Sequence, residues 1–408
     1  MNYQLNLREV TYALSTALDF VGIDDTFHGK RVAYMAAEIL KELHWPQEKI
    51  DDVICASMLH DCGVSSTDVH SHLVTELDWD NSQVHAKRGE QLLNSVDIYA
   101  KYATFIRYHH THWDKMPDSL SQEEKDIANL IYMVDRVDAL NAQQKDSDTL
   151  SVQTIKDTIT KYSGTMFSPE FVEVFLHISE RSSFWFYFEE DALDEYFIEW
   201  IENGEERTFS FLEVKKLALM FAAVVDAKSE FTSSHSVSVS NLARYLAEEM
   251  NLSLEVCEKI EIAGLLHDLG KLRVDDSILN KPSKLDYNER LKMNRHGFDS
   301  YIILRRVQGF KEIAYLASMH HETLDSQGYP YNFEAKDIPI EARIITSADI
   351  YQALIQNRPY REGLSKEEAL NIVTSMTEAG KLDHRITNLI ANNLDTCYEK
   401  AMIKYEIL

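Results

Sequence analysis

Turn-forming residues are scarce in this chain of 408 residues, with 13 glycines and 7 prolines. So few breakers over such a length favour long uninterrupted elements and an all-α protein. Cysteine is scarce too. Cys55, Cys62, Cys257 and Cys397 form no CxxC pair, so neither a zinc knuckle nor a disulfide framework is indicated, which suits a reducing cytoplasm. No apolar run approaches the ~18 residues that span a membrane. The opening MNYQLNLREV has no basic-then-apolar signal pattern. Basic residues are outnumbered, 41 Lys and Arg against 67 Asp and Glu, for a formal net charge of -26. Such a surface repels phosphate backbones and argues against polymeric DNA or RNA as a partner. A small anionic ligand fits only if a metal or a local cluster of Lys and Arg draws it in.

What the chain does contain is a repeat. The first half reads HGKRVAYMA from His28, MLHDCGV around His60, VHAKRGEQLL around His85, RYHHTHWD around His109 and VDRVDAL around Asp135. The second reads HSVSVSNLA from His235, LLHDLGK around His267, RHGFDSYIIL around His296, SMHHETLD around His320 and ADIYQAL around Asp349. His28 to His60 and His235 to His267 are both 32 residues apart, and His85 to His109 and His296 to His320 are both 24. The remaining intervals, 25 against 29 from His60 to His85 and His267 to His296, and 25 against 28 from His110 to Asp135 and His321 to Asp349, differ by loop-sized amounts. A single histidine is usually a surface or satisfied core residue; seven matched positions in two copies are not explained that way. Two tandem copies of one domain are expected, over 1–203 and 204–408, with the boundary at Asn203-Gly204.

Apolar residues recur at helical spacing around each motif, as in Leu242, Tyr245, Leu246 and Met250 after His235. Ser210-x-x-Glu213 and Ser365-x-x-Glu368 have the capping-box pattern of helix starts. The aromatic and acidic stretch 164–209 is read as helical packing that ends the first domain.

The second copy offers His235, His267, Asp268, His296, His320, His321 and Asp349. Neutral imidazoles and carboxylates bind Fe, Mn, Ni or Zn. Seven such groups without a cysteine exceed one tetrahedral site. They suit two divalent ions sharing a carboxylate, an arrangement that serves phosphoryl transfer by turning a shared water into a bridging hydroxide. Lys271 follows Asp268 at i+3, on the same face, where an ammonium can bind phosphate or protonate a leaving alkoxide.

At this point the residues look like a known family. AKSEFTSSHS, LLHDLGKLRVDDSILNKPSKL, NRHGFDS, HHETLDSQGYP and SADIYQALIQNRPYR, over about 226–362, resemble the HD-GYP domains of the HD phosphohydrolase superfamily. The resemblance implies tandem helical bundles and a di-iron or di-manganese centre. It implies bacterial second-messenger signalling, by hydrolysis of cyclic di-GMP or 3',3'-cyclic GMP-AMP to a linear dinucleotide and in some members on to mononucleotides. By motif position, Asp268 would bridge the metals. His235, His267 and Asp349 would complete one site, and His296, His320 and His321 the other. Lys271 and Arg358 would hold phosphate, and Gly328, Tyr329 and Pro330 would shape the pocket. Ser326 replaces the first glycine of the family's HHExxDGxGYP, which removes no ligand. A third metal would need a carboxylate where Phe231 stands beside Glu230, so two ions are expected.

The first copy keeps His28, His60, Asp61, His85, His109, His110 and Asp135, a candidate second metal site, but loses the substrate-handling groups. Val64 stands where Lys271 stands, Gln144 where Arg358 stands, and no GYP follows His110. It is expected to be a metal-binding or regulatory domain. Two other readings stay open: a non-catalytic sensor of a cyclic dinucleotide or metal, and a single-metal HD nucleotide phosphohydrolase. A homodimer is compatible with all of them.

Overall fold

The structure is a computed structural model. It describes residues 2–22, 27–144, 151–228, 234–357 and 362–402, with only the backbone of 22 and 144. The chain divides into two compact units, one of Asn6–Glu205 and one of Glu206–Leu408 together with Met1–Leu5.

In the first unit the helices are α1 Leu7–Asp19, α2 His28–Glu42, α3 Gln47–Leu59, α4 Thr67–Thr75, α5 Ser82–Asn94, α6 Ala103–Tyr108, α7 Gln122–Gln144, α8 Val152–Lys161, α9 Pro169–Ile178, α10 Ser182–Phe186 and α11 Glu190–Glu202. In the second they are α12 Phe211–Asp226, α13 His235–Glu249, α14 Leu254–Leu266, α15 Asp276–Leu279, α16 Tyr287–Asn294, α17 His296–Leu304, α18 Lys311–Ser318, α19 Ile340–Ile355, α20 Lys366–Glu378, α21 His384–Asn392 and α22 Leu394–Ala401. The fold is all-α in both. Among the described residues, the one sheet pairs strand β1 (Asn2–Asn6) with β2 (Glu206–Ser210). The stretch expected to be helical throughout therefore ends in a strand. β1 buries Tyr3 and Leu5 and exposes Asn2 and Gln4, the alternation of a half-covered strand.

The units are built alike. α2 packs on α3 and α7, and α5 on α6; α13 packs on α14 and α19, and α17 on α18. α13 shows why: Val239, Leu242, Ala243 and Leu246 are buried at i, i+3, i+4 and i+7, one apolar stripe of a helix. Leu242→Ala would cost about 2–5 kcal/mol. Both expected capping boxes form, Ser210 with Glu213 on α12 and Ser365 with Glu368 on α20.

The HD pairs lie where a helix stops. His267 caps α14, and Asp268 leads into a 3-10 stretch, Leu269–Arg273. Gly270 lets that stretch lie on α17: a Cβ there would stand 2.0 Å from the His296 carbonyl oxygen. Gly63 does the same in the first unit, 1.9 Å from the His85 carbonyl oxygen. Each glycine thus brings its HD pair against the third histidine.

Candidate active site

In the second unit the seven candidate groups come together. Asp268 stands at their centre, 2 % exposed, with each oxygen turned to a different histidine pair. Oδ2 lies 3.4 Å from His235 Nε2 and 3.3 Å from His267 Nε2. Oδ1 lies 3.5 Å from His296 Nε2 and 3.7 Å from His320 Nε2. Asp349 Oδ1 joins the first pair at 3.3 and 3.9 Å, and its Oδ2 is 3.8 Å from His321 Nδ1.

Four rings are oriented from behind. Nδ1 of His267, His296 and His320 lies 2.7, 2.6 and 2.7 Å from the carbonyl oxygens of Gly264, Met293 and Ala317. His235 Nδ1 lies 2.6 Å from Gln352 Oε1. These oxygens only accept, so each Nδ1 donates and each neutral Nε2 offers a lone pair inward. The Nε2 atoms converge to 3.3 Å in the pair His235 and His267, and to 2.9 Å in His296 and His320.

The first pair can relieve that convergence by taking a proton. Burial alone would lower His235, but the Asp268 and Asp349 carboxylates outweigh it and push it up to about 10. The second pair has no such relief. Burial and the Lys271 ammonium push His296 down to about 4. Burial and the neighbouring imidazoles hold His320 well below its ordinary value and bring His321 to about 3. Although burial works against it, Asp268 is held well below the usual carboxylate range by His267 and Lys271. Its Oδ1 is buried without a hydrogen-bond partner, which costs about 1–3 kcal/mol when nothing compensates it. Converging imidazoles, with His296, His320 and His321 held neutral, an ionised carboxylate and an orphaned oxygen, with no thiolate, fit hard-to-borderline divalent cations. His235, His267 and Asp268 gather ligand atoms within 4.8 Å of one another, and so do His296, His320 and His321.

Lys271 Nζ lies 2.5 Å from Asp268 Oδ2, as i and i+3 eclipse on a 3-10 turn. The Tyr329 ring lies 4.6 Å from the His321 ring and 6.2 Å from that of His296, beside Gly328 and Pro330. Ser326, in place of the family glycine, takes the left-handed φ of 59° that glycine favours. Arg358, Glu230 and Phe231 lie outside the described residues.

The first unit repeats the cluster. Asp61 Oδ2 lies 3.7 and 3.5 Å from Nε2 of His28 and His60, and Oδ1 lies 3.4 Å from His85 Nε2. His85 and His109 Nε2 are 3.3 Å apart. Asp135 Oδ1 is 3.4 Å from His28 Nε2, and Oδ2 is 3.9 Å from His110 Nε2. Asp61, His85, His109 and His110 also gather ligand atoms within 4.8 Å. Val64, in the lysine's place, is 3 % exposed.

Several residues that sequence reasoning missed set the two clusters apart. Where Gln352 supports His235, Asp138 supports His28 at 2.7 Å and is held by Arg31 at 2.5 and 2.8 Å. Arg136 binds Asp135 Oδ2 at 2.8 Å and reaches the carbonyls of Leu73 and Glu76. Both arginines are buried; their counterparts three residues after His235 and one after Asp349 are Ser238 and Ile350. His85 Nδ1 is buried without a partner, unlike that of His296. The repeat could have disclosed one pair. Asp19 and Asp226 stand nine residues before His28 and His235 and accept from the backbone N–H just after each histidine, Gly29 at 2.9 Å and Ser236 at 3.3 Å.

Comparison with known proteins agrees with this duplication. Family models described as HD domain match residues 27–143 and 220–386. The chain is 34% identical to the 3'3'-cGAMP-specific phosphodiesterase 1 of Vibrio cholerae, covering 98% of this chain and 94% of the relative. It is 37% identical to the cyclic di-GMP phosphodiesterase response regulator RpfG of Xanthomonas campestris over 42% of this chain and 43% of the relative. A crystal structure of a cyclic GMP-AMP specific phosphodiesterase of V. cholerae (V-cGAP3) matches 97% of this chain and 98% of its own, with a TM-score of 0.66 and 22% identity, and so shares the fold. With both HD pairs in place and the longest of these likenesses running nearly end to end, the chain belongs to the HD-domain phosphohydrolases, in their HD-GYP branch, with two HD domains in tandem.

Proposed function

We propose that the second unit hydrolyses a cyclic dinucleotide, 3',3'-cyclic GMP-AMP or cyclic di-GMP, to the linear dinucleotide. The observation that carries this is Asp268, whose two oxygens serve two histidine clusters while Lys271 stands on the same carboxylate. The relatives support the substrate class. The one matched over 94% of its length is a 3'3'-cGAMP-specific enzyme, so cyclic GMP-AMP is the substrate to try first.

His235, His267 and Asp349 would hold one ion and His296, His320 and His321 another, with Asp268 between them. Iron or manganese suits these ligands, and nickel or zinc is accommodated. Bound divalent ions supply positive charge to the phosphoryl oxygens and acidify a water there. The chain's own groups do the rest. Lys271 Nζ, a proton-bearing ammonium at the cluster, neutralises a non-bridging phosphate oxygen and delivers a proton to the leaving ribose oxygen. The P–O bond to that ribose breaks as a P–O bond to water forms. Tyr329 walls one side of the substrate pocket. Arg358 is proposed, on resemblance, as a second phosphate contact.

The first unit is proposed as a metal-binding regulatory domain. It keeps the cluster, but with Val64 for the lysine and no GYP loop. A cytoplasmic location fits the four cysteines, which are all free and buried. Among the described residues no helix is long and apolar enough to cross a membrane.

The test is hydrolysis of both dinucleotides by anaerobically purified protein with iron or manganese. Turnover that Asp268→Ala removes supports the assignment; metal-loaded protein that binds ligand without turnover would leave the sensor reading.

A further inference from the structure

Glu322 follows the last histidine of the second cluster and is 2 % exposed. A buried carboxylate close to a site for an anionic substrate repels what the site must bind, unless its charge is engaged elsewhere. Here it is engaged by backbone. Oε1 accepts from the Tyr331 N–H at 2.7 Å and Oε2 accepts from the Phe333 N–H at 3.1 Å. Among side chains of this length, only a carboxylate accepts at both of its ends.

These two bonds close the loop that carries Gly328, Tyr329 and Pro330. The loop folds back on its own start, with the Tyr329 N–H donating to the His321 carbonyl at 3.2 Å and Asn332 Nδ2 donating to the Gly328 carbonyl. The return is so tight that a Cβ on Gly328 would stand 2.4 Å from Thr323 N and 2.5 Å from Glu322 Cα. Beyond it, the Tyr331 and Phe333 rings lie 5.0 Å apart. The first unit provides the contrast. Thr111 stands where Glu322 stands, and the chain after it turns elsewhere: the N–H groups of Trp113 and Asp114 donate to Met166 and Thr165, both at 3.0 Å.

We propose that Glu322 is the positioning residue of the substrate loop. Its two-ended carboxylate fixes Tyr331 and Phe333, so that Tyr329 stands beside His296 and His321 as one wall of the nucleobase-and-ribose subsite. It governs how tightly a cyclic dinucleotide is held and leaves the phosphodiester chemistry to the metal ligands and Lys271. This rests on the reading of the second unit as the dinucleotide site.

The experiment compares full-length, metal-loaded wild type with Glu322→Gln and Glu322→Asp. Three probes are used: 3',3'-cyclic GMP-AMP for steady-state kinetics, its non-hydrolysable bis-phosphorothioate for calorimetric Kd, and bis(p-nitrophenyl) phosphate as a diester without bases. Metal content and Tm are measured on each protein. Glutamine can accept at only one end. The expected result is a Kd and KM raised about tenfold or more, with metal content and bis(p-nitrophenyl) phosphate turnover within twofold of wild type. Aspartate, too short to span both N–H groups, should shift Kd the same way. Equal losses on both substrates, loss of metal, or loss of the fold in both variants would make Glu322 a support of His321 and overturn the proposal, as would an unchanged Kd. Wild type that binds the phosphorothioate but cleaves nothing removes the hydrolytic reading while the Kd comparison still decides on Glu322. Wild type that does neither overturns both.

Discussion

The two halves hold the same seven side chains at matching distances, yet differ in what stands behind and above them. In the second unit Asp268 meets a lysine, His235 leans on a neutral amide, and the Tyr329 loop folds beside the cluster. In the first, the lysine is a valine, His28 leans on a carboxylate pinned by Arg31, and Arg136 takes an oxygen of Asp135. The lesson is that a ligand set tells where a metal can sit, while the surrounding charges tell what the metal can be used for. Buried arginines pair with Asp135 and Asp138 in the first unit; the second has no arginine at the matching positions and leaves Asp268 Oδ1 without a hydrogen-bond partner.

The hardest way to break this comparison is at the central aspartates. Asp268→Ala should lower dinucleotide hydrolysis about 10³-fold, whereas Asp61→Ala should leave kcat within about twofold when assayed under the same metal load. Comparable losses from both would make the first unit catalytic.

The supports behind the first histidines should separate next, in thermal melts and metal titrations. Asp138→Ala removes the buried carboxylate that His28 and Arg31 share and should cost the first unit about 3–5 kcal/mol. Gln352→Ala removes a neutral partner and should cost about 1 kcal/mol, with metal affinity of the second unit falling about 10–100-fold. Equal destabilisation would contradict the charge difference described.

Lys271→Met should reduce kcat about 100-fold with metal content retained. Val64→Lys, made together with Asp268→Ala, should not create hydrolysis in the first unit, which lacks the loop. Activity in that double variant would show that the lysine alone separates the two units.

The smallest effect is a pH slope. Without metal, His235 and His28 are both pushed up to about 10, against an ordinary value of 6.5. A raised histidine pKa stabilises fully below the unfolded value, and that stabilisation is lost as pH rises through the folded one. The Tm of chelated protein should therefore fall from pH 6.5 towards 10. His235→Gln and His28→Gln should each remove part of the slope. A flat profile in chelated wild type would rule out the protonated pairs.

Much of this could be read from residue order. Ligand chemistry demands particular side chains, and helices fix their spacing, so His235, His267, Asp268, His296, His320, His321 and Asp349 stood out and came together. The apolar spacing around the HD pair predicts that a helix runs through it, whereas the pair sits at the helix end because the chain tightens there into a 3-10 turn. Gln352, Asp138 and Arg31 were illegible because polar residues are common and only the packing of α13 on α19 and α2 on α7 makes them partners. Glu322 was visible only as a letter of a motif; its role lies in backbone groups that no sequence displays. β1 was missed because five residues carry little periodicity and their partner strand lies far along the chain.

That strand has a consequence for synthesis. Residues 1–5 belong with a unit whose next residue is Glu206, so the first unit is an insertion within the second. At ~5–20 residues per second, β1 waits about 10–40 s on the ribosome before β2 is made. During that time Tyr3 and Leu5, buried at the end, wait for the rest of their unit, and the first unit can fold first. The second unit cannot be completed from its own contiguous stretch alone. A gene fragment starting at codon 206 would lack a strand, and restoring activity to it would take those opening residues supplied by fusion or as a peptide.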